Sequence, residues 1–250
     1  ILAALLSAIA WNLITWYYGI PSSSSHALIG SIAGAAISAA GLGILNYSGF
    51  IKIIEALLLS PVIALVGGFI MMSLFKVLMK NFNLFKANRR MRYMQVGTAA
   101  LQAFTHGTND AQKAMGIITM ALIAANLQTG DDIQLWVRIA AATAMGLGTA
   151  IGGYKIIKTV GGKIMKIRPV NGAAADLNSA MIIFGATLLH LPVSTTHVIS
   201  SSIMGVGAAQ RVKGVNWGVA QRIVWTWIIT LPISALFAGL IYQVIRIIFL

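Results

Sequence analysis

Long apolar runs separated by short basic segments constrain this chain more than any other feature. Of the 250 residues, 58% are hydrophobic and only 9% are charged, whereas an ordinary soluble domain contains about 25% charged residues. Several runs approach or exceed the ~20 residues that a helix needs to cross the hydrocarbon core of a bilayer. They do not alternate between polar and apolar residues, as the ~10-residue strands of a membrane barrel do. The sequence therefore predicts an all-α membrane protein, a polytopic helical bundle in a lipid bilayer.

The formal net charge of +13 would indicate nucleic-acid binding in a soluble protein. Here the basic residues lie in short segments between apolar runs, mainly at 80–92 and 154–168. This arrangement is typical of loops on the cytoplasmic side of a membrane. We therefore expect a multi-pass protein of the plasma (cytoplasmic) membrane with no nucleic-acid partner. Because the sequence starts at Ile1 inside an apolar run, we expect that the beginning of the protein is missing and that this run is not a signal peptide.

The runs and their breaks divide the chain into a partial first repeat (1–79), a basic cytoplasmic loop (80–92) and a second repeat (93–250). The predicted elements are a re-entrant hairpin at 1–45, a span at 55–79, a broken helix at 93–126, a span at 136–153, a re-entrant hairpin at 171–209 and a span at 223–245. The helix at 93–126 is expected to break because an unbroken helix of its length would reach about 50 Å. Irregular backbone at membrane depth survives only where protein or a cavity shields it, which favours re-entrant hairpins at the other two breaks.

The breaks inside the two predicted hairpins are copies of each other. Residues 21–26 (PSSSSH) align with residues 192–197 (PVSTTH) at a constant offset of 171 positions, and the match continues to Gly34 and Gly205. The charge pattern makes the first hairpin open outward and the second open toward the cytoplasm. Such inverted-topology repeats are common in secondary transporters. The repeat also predicts an Asn-Asp motif upstream of Ile1, equivalent to Asn109 and Asp110.

Seven hydroxyl side chains occupy these two breaks, and six of them are candidate ligands. These six are Ser23, Ser24, Ser25, Ser194, Thr195 and Thr196. A hairpin tip exposes the N-terminus of its second helix, where free backbone N–H groups and the positive end of the helix dipole attract anions. The hydroxyls add further donors, so we predict a substrate site for a tetrahedral oxyanion, with Asn109 as an additional ligand. The alternative is that the hydroxyls only cap helices and pack.

A charged side chain within a membrane segment is costly unless it is paired, and Asp110 is one of only five acidic residues in the chain. Together with Asn109 and Thr108 it offers oxygen ligands. The sequence therefore predicts a coupling-cation site, in which Asp110 binds Na⁺ or takes up a proton. A purely structural ion pair with Lys113, three residues later, stays an alternative.

Each hydroxyl cluster is followed by a histidine, His26 or His197. We favour a structural role in which each ring bonds to the backbone, with substrate orientation or proton transfer as the alternative. An intramembrane hydrolase built on these Ser/Thr-His pairs is a further alternative. However, adjacent residues seldom align for proton transfer, and the sequence contains no Gly-x-Ser-x-Gly motif. We therefore expect that the protein is not an enzyme and uses no cofactor beyond a coupling ion.

Three segments, at 106–113 (HGTNDAQK), 20–30 (IPSSSSHALIG) and 191–197 (LPVSTTH), resemble signature segments of the PiT inorganic phosphate transporters. The resemblance extends over the whole chain. It implies import of inorganic phosphate by symport with Na⁺ or H⁺, for which we expect an alternating-access mechanism. It also implies that phosphate binds at residues 23–25 and 194–196, with the cation near Asn109 and Asp110. Sulfate, a metal–phosphate complex and a channel stay alternatives, and a homodimer stays an alternative to a monomer.

Overall fold

The computed structural model describes the backbone of residues 1–80 and 84–249. It describes the side chains of residues 1–80 and 91–249. The helices of this described part are α1 (Leu2–Tyr17), α2 (Ser24–Ala40), α3 (Tyr47–Leu78), α4 (Leu84–Ala124), α5 (Leu135–Gly162), α6 (Pro169–Leu188), α7 (Thr195–Gln210) and α8 (Trp217–Phe249). One 3-10 turn, Leu42–Ile44, precedes α3 and another, Val212–Gly214, precedes α8. The described residues contain no strand, so the predicted all-helical class is confirmed for them.

Three of the described helices are long and apolar enough to cross a membrane. They are α3, α5 and α8, with mean hydropathies of 2.3, 1.3 and 2.0 over their most apolar windows. These helices lie where spans were predicted at 55–79, 136–153 and 223–245. Helix α5 continues to Gly162, so much of the basic segment predicted as a loop at 154–168 is helical. Pro61 and Pro232 lie inside α3 and α8, and neighbouring helices allow such prolines in membrane helices.

The prediction of a break at residues 106–110 was wrong, because α4 is one continuous helix of 41 residues. The loop predicted at 80–92 is likewise helical from Leu84 onward, while residues 81–83 lie outside the described residues. The polar cluster needs no break because its side chains find partners. Thr108 Oγ1 donates to Phe104 O at 2.8 Å, and Asp110 pairs with Lys113. At 1.5 Å per residue α4 is about 60 Å long, so part of it extends beyond the ~30 Å hydrocarbon core.

The helix pairs α1–α2 and α6–α7 correspond to each other at the 171-residue offset. Two residues after the end of the first helix of each pair, the backbone is left-handed, at Gly19 (φ 64°) and at His190 (φ 54°). In both pairs the next backbone N–H then bonds back across the helix end, as in a Schellman motif. These bonds run from Ile20 N to Thr15 O and from Leu191 N to Ala186 O, both at 2.9 Å. The repeat seen in the sequence is therefore also a repeat of local structure.

The two halves exchange helices in their packing. Helix α2 of the first pair packs on α8, and α7 of the second pair packs on α3. Glycines permit this close approach, because a Cβ at Gly34 would overlap the backbone of Ala235, and a Cβ at Gly205 would overlap the backbone of Leu65. Small residues at contacts are typical of membrane helices, since lipid supplies no hydrophobic driving force between them.

Matching polar side chains fix both pairs in place. Ser7 on α1 and Asn178 on α6 are buried at equivalent positions. Each bonds to the second helix of its own pair and to a carbonyl of the long helix from the other half. The bonds are Ser31 Oγ to Ser7 Oγ (3.1 Å), Ser7 Oγ to Ser234 O (2.8 Å), Asn178 Nδ2 to Ser202 Oγ (2.7 Å) and Asn178 Nδ2 to Ala64 O (3.0 Å). The two tips are thus held by the same kind of contact.

Candidate functional site

Each pair of helices is joined by a short irregular tip that ends in a serine N-cap. Ser23 Oγ accepts a hydrogen bond from His26 N at 3.1 Å, and Ser194 Oγ accepts one from His197 N at 3.3 Å. An N-cap of this kind satisfies one of the free N–H groups at a helix start. Both serines are buried and turn back toward their own helices. These two members of the predicted hydroxyl set therefore build the tips.

The tips meet each other in the interior of the molecule. Ser25 Oγ of the first tip donates to Val193 O of the second at 3.2 Å. Behind this contact the rings of His26 and His197 lie 4.4 Å apart, and His197 stacks on Trp227 at 3.9 Å. Both histidines are buried. They pack as aromatic rings between the tips, and His26 Nδ1 lies 2.7 Å from the Ser23 hydroxyl and not against the backbone group that was expected.

Lys113 on α4 joins the two tips. Its Nζ donates to Ser25 Oγ at 2.7 Å and to Val193 O at 2.8 Å. It also pairs with Asp110 Oδ1 at 2.8 Å, and the two charged side chains are only 19% and 12% exposed. Charge-assisted hydrogen bonds are stronger than neutral ones, and more so where water is excluded. One side chain thus connects α4 to both halves of the repeat.

The second carboxylate oxygen of Asp110 is also occupied. Thr195 Oγ1 donates to Oδ2 at 3.0 Å, and His106 Nε2 lies 3.1 Å from the same oxygen. One residue earlier in α4, Asn109 Nδ2 donates to Thr187 Oγ1 on α6 at 3.0 Å. The Asn-Asp pair therefore bonds α4 to the second pair of helices through both of its side chains.

A cavity of about 850 Å³ lies beside the tips, between α1, the first tip, α4 and α5. The polar groups on its wall include Ser22, Ser24, Thr196, Asp110 and Lys113. Most of the remaining wall is apolar and comes from α1 and α4. Small-molecule sites usually have this form, with a few convergent polar groups in a largely apolar cavity. The hydroxyl donors among these groups, together with the positive charge of Lys113, suit an anionic ligand.

Helix α5 lines part of the cavity and bonds to the end of α1 and to Gly19. Trp16 Nε1 donates to Gly152 O at 2.8 Å, and Thr159 Oγ1 donates to Gly19 O at 2.8 Å. The Lys155 ammonium lies 4.3 Å from the centre of the Trp16 ring, within the range of a cation–π contact. The first tip is thereby attached to α5 as well as to α4.

Comparison with known sequences now gives these features a context. The sequence profile of the phosphate transporter family matches residues 1–238, a range that includes both tips and the polar cluster of α4. The chain belongs to the phosphate transporter family. This result confirms the resemblance seen in the sequence and agrees with the expectation that the protein is not an enzyme. With its apolar helices, a member of this family is a multi-pass protein of the plasma membrane.

Relatives of this family member match it over almost its whole length. A Bacillus subtilis (strain 168) protein named "Probable low-affinity inorganic phosphate transporter" is 72% identical over 100% of this chain and 75% of its own length. A Rhizobium meliloti (strain 1021) protein of the same name is 42% identical over 97% of this chain and 73% of its own length. A solved structure titled "The sodium-dependent phosphate transporter" matches with a TM-score of 0.87 and 24% identity, covering 99% of this chain and 79% of that one. That likeness shows the fold.

The hydroxyls predicted for the substrate site of this transporter-family chain occupy three kinds of position. Ser24 and Thr196 line the cavity. Ser25 and Thr195 are 2% exposed and bond to Lys113 and Asp110, and the remaining two are the N-caps described above. The structure thus brings the two clusters together around α4, and it presents one hydroxyl from each predicted cluster to the cavity.

Thr108, predicted to join the cation site, lies elsewhere. It bonds within α4 and lines a separate cavity of about 750 Å³ between α4 and α5, together with Arg138. Within the described part of the chain, no three His, Asp or Glu side chains gather as they would around a metal ion. Of the three residues predicted to bind the cation, Asp110 and Asn109 lie beside the tips and Thr108 does not.

Three residues of the candidate site were not predicted from the sequence. Lys113 was seen only as a neighbour of Asp110, because the spacing along α4 says nothing about which tip it reaches. His106 was four residues from Asp110, a helical spacing that could have been used. Ser22 lies within the first motif and shares a 2.6 Å hydrogen bond with Thr15 on α1, a contact for which the sequence contains no signal.

Proposed function

We propose that this chain imports inorganic phosphate as a secondary active transporter, in symport with Na⁺ or H⁺ and by alternating access around the two tips. Membership of the phosphate transporter family and the names of its relatives support the substrate. The similar solved structure is, by its title, sodium-dependent, which supports cation coupling without choosing the ion for this chain.

The observation that carries the proposal is the set of donors on the wall of the cavity. Ser24 and Thr196 lie in the first turns of α2 and α7, where backbone N–H groups are free and the helix dipole is positive. Lys113 adds a positive charge to the same wall, although its three N–H donors already have acceptors and Asp110 is its counter-ion. Phosphate binds well to such combinations of helix starts, hydroxyls and cations. Hydroxyls and amides also release their ligand more readily than a closed cage of charges.

Alternating access requires two related halves that move about a central site. The matched tips, the 171-residue offset and the exchanged packing of α2 and α7 support an inverted-topology repeat with two re-entrant hairpins. In this proposal phosphate binds beside the tips near the middle of the bilayer. The ammonium, the helix dipoles and the co-transported cation offset the cost of bringing the anion there.

Uptake by the full-length protein in proteoliposomes tests the proposal. Radiolabelled phosphate is offered under an inward Na⁺ gradient and, separately, an inward H⁺ gradient, each with and without excess sulfate. We expect saturable, gradient-driven uptake that sulfate does not reduce. Gradient-driven sulfate uptake without phosphate uptake would instead indicate a sulfate permease of the same fold. Unsaturable flux that follows the phosphate gradient alone would indicate a channel.

Single hydroxyl variants test the location of the site. Ser24→Ala and Thr196→Ala should each raise the KM for phosphate by about tenfold, because a hydrogen bond to a charged group contributes roughly 1.5–3 kcal/mol. Ser73→Ala is the matched control, since that exposed hydroxyl bonds within α3 to Phe69 O. Initial rates over a range of phosphate concentrations separate KM from the maximal rate. Unchanged KM values in both variants would move the substrate away from this cavity wall.

A further inference from the structure

The Lys113 ammonium has a complete set of oxygen partners. A lysine carries three N–H donors and no acceptor. The three acceptors around Nζ are Asp110 Oδ1 at 2.8 Å, Ser25 Oγ at 2.7 Å and Val193 O at 2.8 Å. Each donor therefore has one acceptor: a carboxylate, a hydroxyl and a backbone carbonyl. These are also the oxygen groups that hard metal cations prefer in proteins.

The origin of these oxygens argues against a simple ion pair within α4. A pair at i, i+3 needs only the two side chains of one helix, whereas two of the three acceptors lie in other parts of the fold. Ser25 lies in the first turn of α2, next to the first tip. Val193 O belongs to the irregular backbone of the second tip, just before the N-cap of α7. Unwound backbone carbonyls of this kind coordinate the coupling ion in many secondary transporters.

Local charge is already balanced at this point. Asp110 and Lys113 are 12% and 19% exposed, with their charged atoms 2.8 Å apart, so the carboxylate has its counter-ion without any bound metal. A Na⁺ ion among the same oxygens would lie within about 3 Å of the ammonium. At that separation two positive charges repel strongly wherever water is largely excluded. The ammonium and a metal ion therefore compete for one position.

We infer that Lys113 is a tethered cation that occupies a monovalent-cation site formed by Asp110, Ser25 and Val193 O. This inference rests on the proposed phosphate transport and refines it. Na⁺ does not bind at Asp110 in this chain, and uptake proceeds without Na⁺, because a fixed ammonium supplies the positive charge between the tips. Removal of the ammonium leaves the three oxygens free for a metal ion. A Lys113 variant should consequently acquire a requirement for Na⁺ that the wild-type protein lacks.

Thermal unfolding tests the cation site independently of transport. The full-length protein is unfolded in NaCl or in choline chloride at equal ionic strength and pH. Wild-type Tm should be the same in both salts. Lys113→Ala should have a lower Tm than the wild type in choline chloride. Its Tm should rise by about 5 °C in NaCl, as expected for an ion that binds only the folded state. Lys113→Met, which is neutral but fills the space, should show no gain. Lys158→Ala, which removes an exposed lysine on α5, should behave as wild type.

A wild-type Tm that rises with Na⁺, or a Lys113→Ala variant that ignores Na⁺, overturns the inference. A Lys113→Ala variant that recovers stability only at lower pH also overturns it, since the carboxylate is then neutralised by a proton. Lys113→Ala could be unfolded in choline chloride from the start. In that case we expect the folded protein to be recovered in NaCl, and a variant that stays unfolded in NaCl contradicts the inference.

Uptake measurements separate this inference from the proposed function. The rate of wild-type phosphate uptake under an H⁺ gradient should agree within about twofold between NaCl and choline chloride. The uptake rate of Lys113→Ala should be about tenfold lower than that of the wild type in choline chloride and should rise several-fold in NaCl. Wild-type uptake that depends on Na⁺ overturns the inference and leaves phosphate symport standing. An absence of phosphate uptake under every gradient overturns the proposed function, while the Tm comparison still decides whether the cation site exists.

Discussion

Asp110 bonds to three side chains through its two oxygen atoms, two of them on α4 and one on α7. Oδ1 accepts from Lys113, and Oδ2 accepts from Thr195 at 3.0 Å with His106 at 3.1 Å. Replacing one member of a buried charge pair leaves the other charge uncompensated, which usually costs more than the pair contributes. At the scale of single residues the site therefore depends on this carboxylate more than on any one hydroxyl.

Asp110→Asn keeps the size of the side chain and removes its charge. We expect coupled phosphate uptake to fall by about 100-fold or more, since a buried ammonium without its counter-ion costs roughly 3–5 kcal/mol. Membrane insertion should persist, because the apolar helices determine it. Uptake in proteoliposomes and the amount of protein in the membrane fraction are measured together. Asp131→Asn, in the exposed loop between α4 and α5, is the control. Wild-type uptake by Asp110→Asn would remove the carboxylate from the mechanism.

The exchange of α2 and α7 between the two halves depends on close contact between helix backbones. Gly34 meets the Ala235 backbone, and Gly205 meets the Leu65 backbone at the equivalent position. Neither neighbour is the end of a flexible side chain, so an added methyl group cannot be accommodated by a rotamer change. At the scale of elements, these two glycines determine how closely each tip is held to the opposite long helix.

Gly34→Ala and Gly205→Ala should each destabilise the protein by about 1–3 kcal/mol, the usual cost of overpacking an interior contact. Thermal unfolding in detergent measures the effect. Gly185→Ala, in α6, is the matched control, because a Cβ there meets no atom within 4 Å and alanine is the better helix former. Equal Tm values for all three variants would mean that α2–α8 and α7–α3 accept an added methyl group without loss of stability, which would contradict close backbone contact at these two glycines.

The opposite orientation that we propose for the two halves concerns the whole molecule. Gly43 and Lys213 lie in equivalent 3-10 turns that follow α2 and α7, and both are exposed. An inverted repeat with two re-entrant hairpins puts the first turn outside the cell and the second in the cytoplasm. The charges agree, since Arg211 and Lys213 surround the second turn whereas residues 41–51 carry no charge.

Single cysteines at these turns test the orientation, and the chain contains no cysteine of its own. A membrane-impermeant maleimide should label Gly43→Cys in intact cells. It should label Lys213→Cys only after the cells are permeabilised, because the positive-inside rule retains basic turns in the cytoplasm. Phosphate uptake by both variants confirms that they are folded. Labelling of the two cysteines from the same side would contradict the inverted topology.

The sequence alone was sufficient for the class of protein, the location of the two hydroxyl clusters and the family resemblance. These predictions rest on composition, on the lengths of apolar runs and on the spacing of Pro, Ser and His, none of which requires knowledge of contacts between distant residues. The same reading failed at α4, where a polar cluster was taken as a break. Helical backbone persists there because Thr108 and Asp110 satisfy their polar groups through neighbouring side chains and carbonyls.

What only the tertiary structure decided is the direction in which each polar group points and which group it meets. Ser24 and Ser25 are neighbours in the sequence, yet the first lines the cavity and the second is buried against Lys113. Lys113 lies 88 residues from Ser25 and 80 residues from Val193. The sequence determined which chemical groups the chain offers, because composition and local spacing specify them. Only the packing of distant helices brought a lysine to the oxygens of two tips, because that meeting depends on contacts that no local pattern encodes.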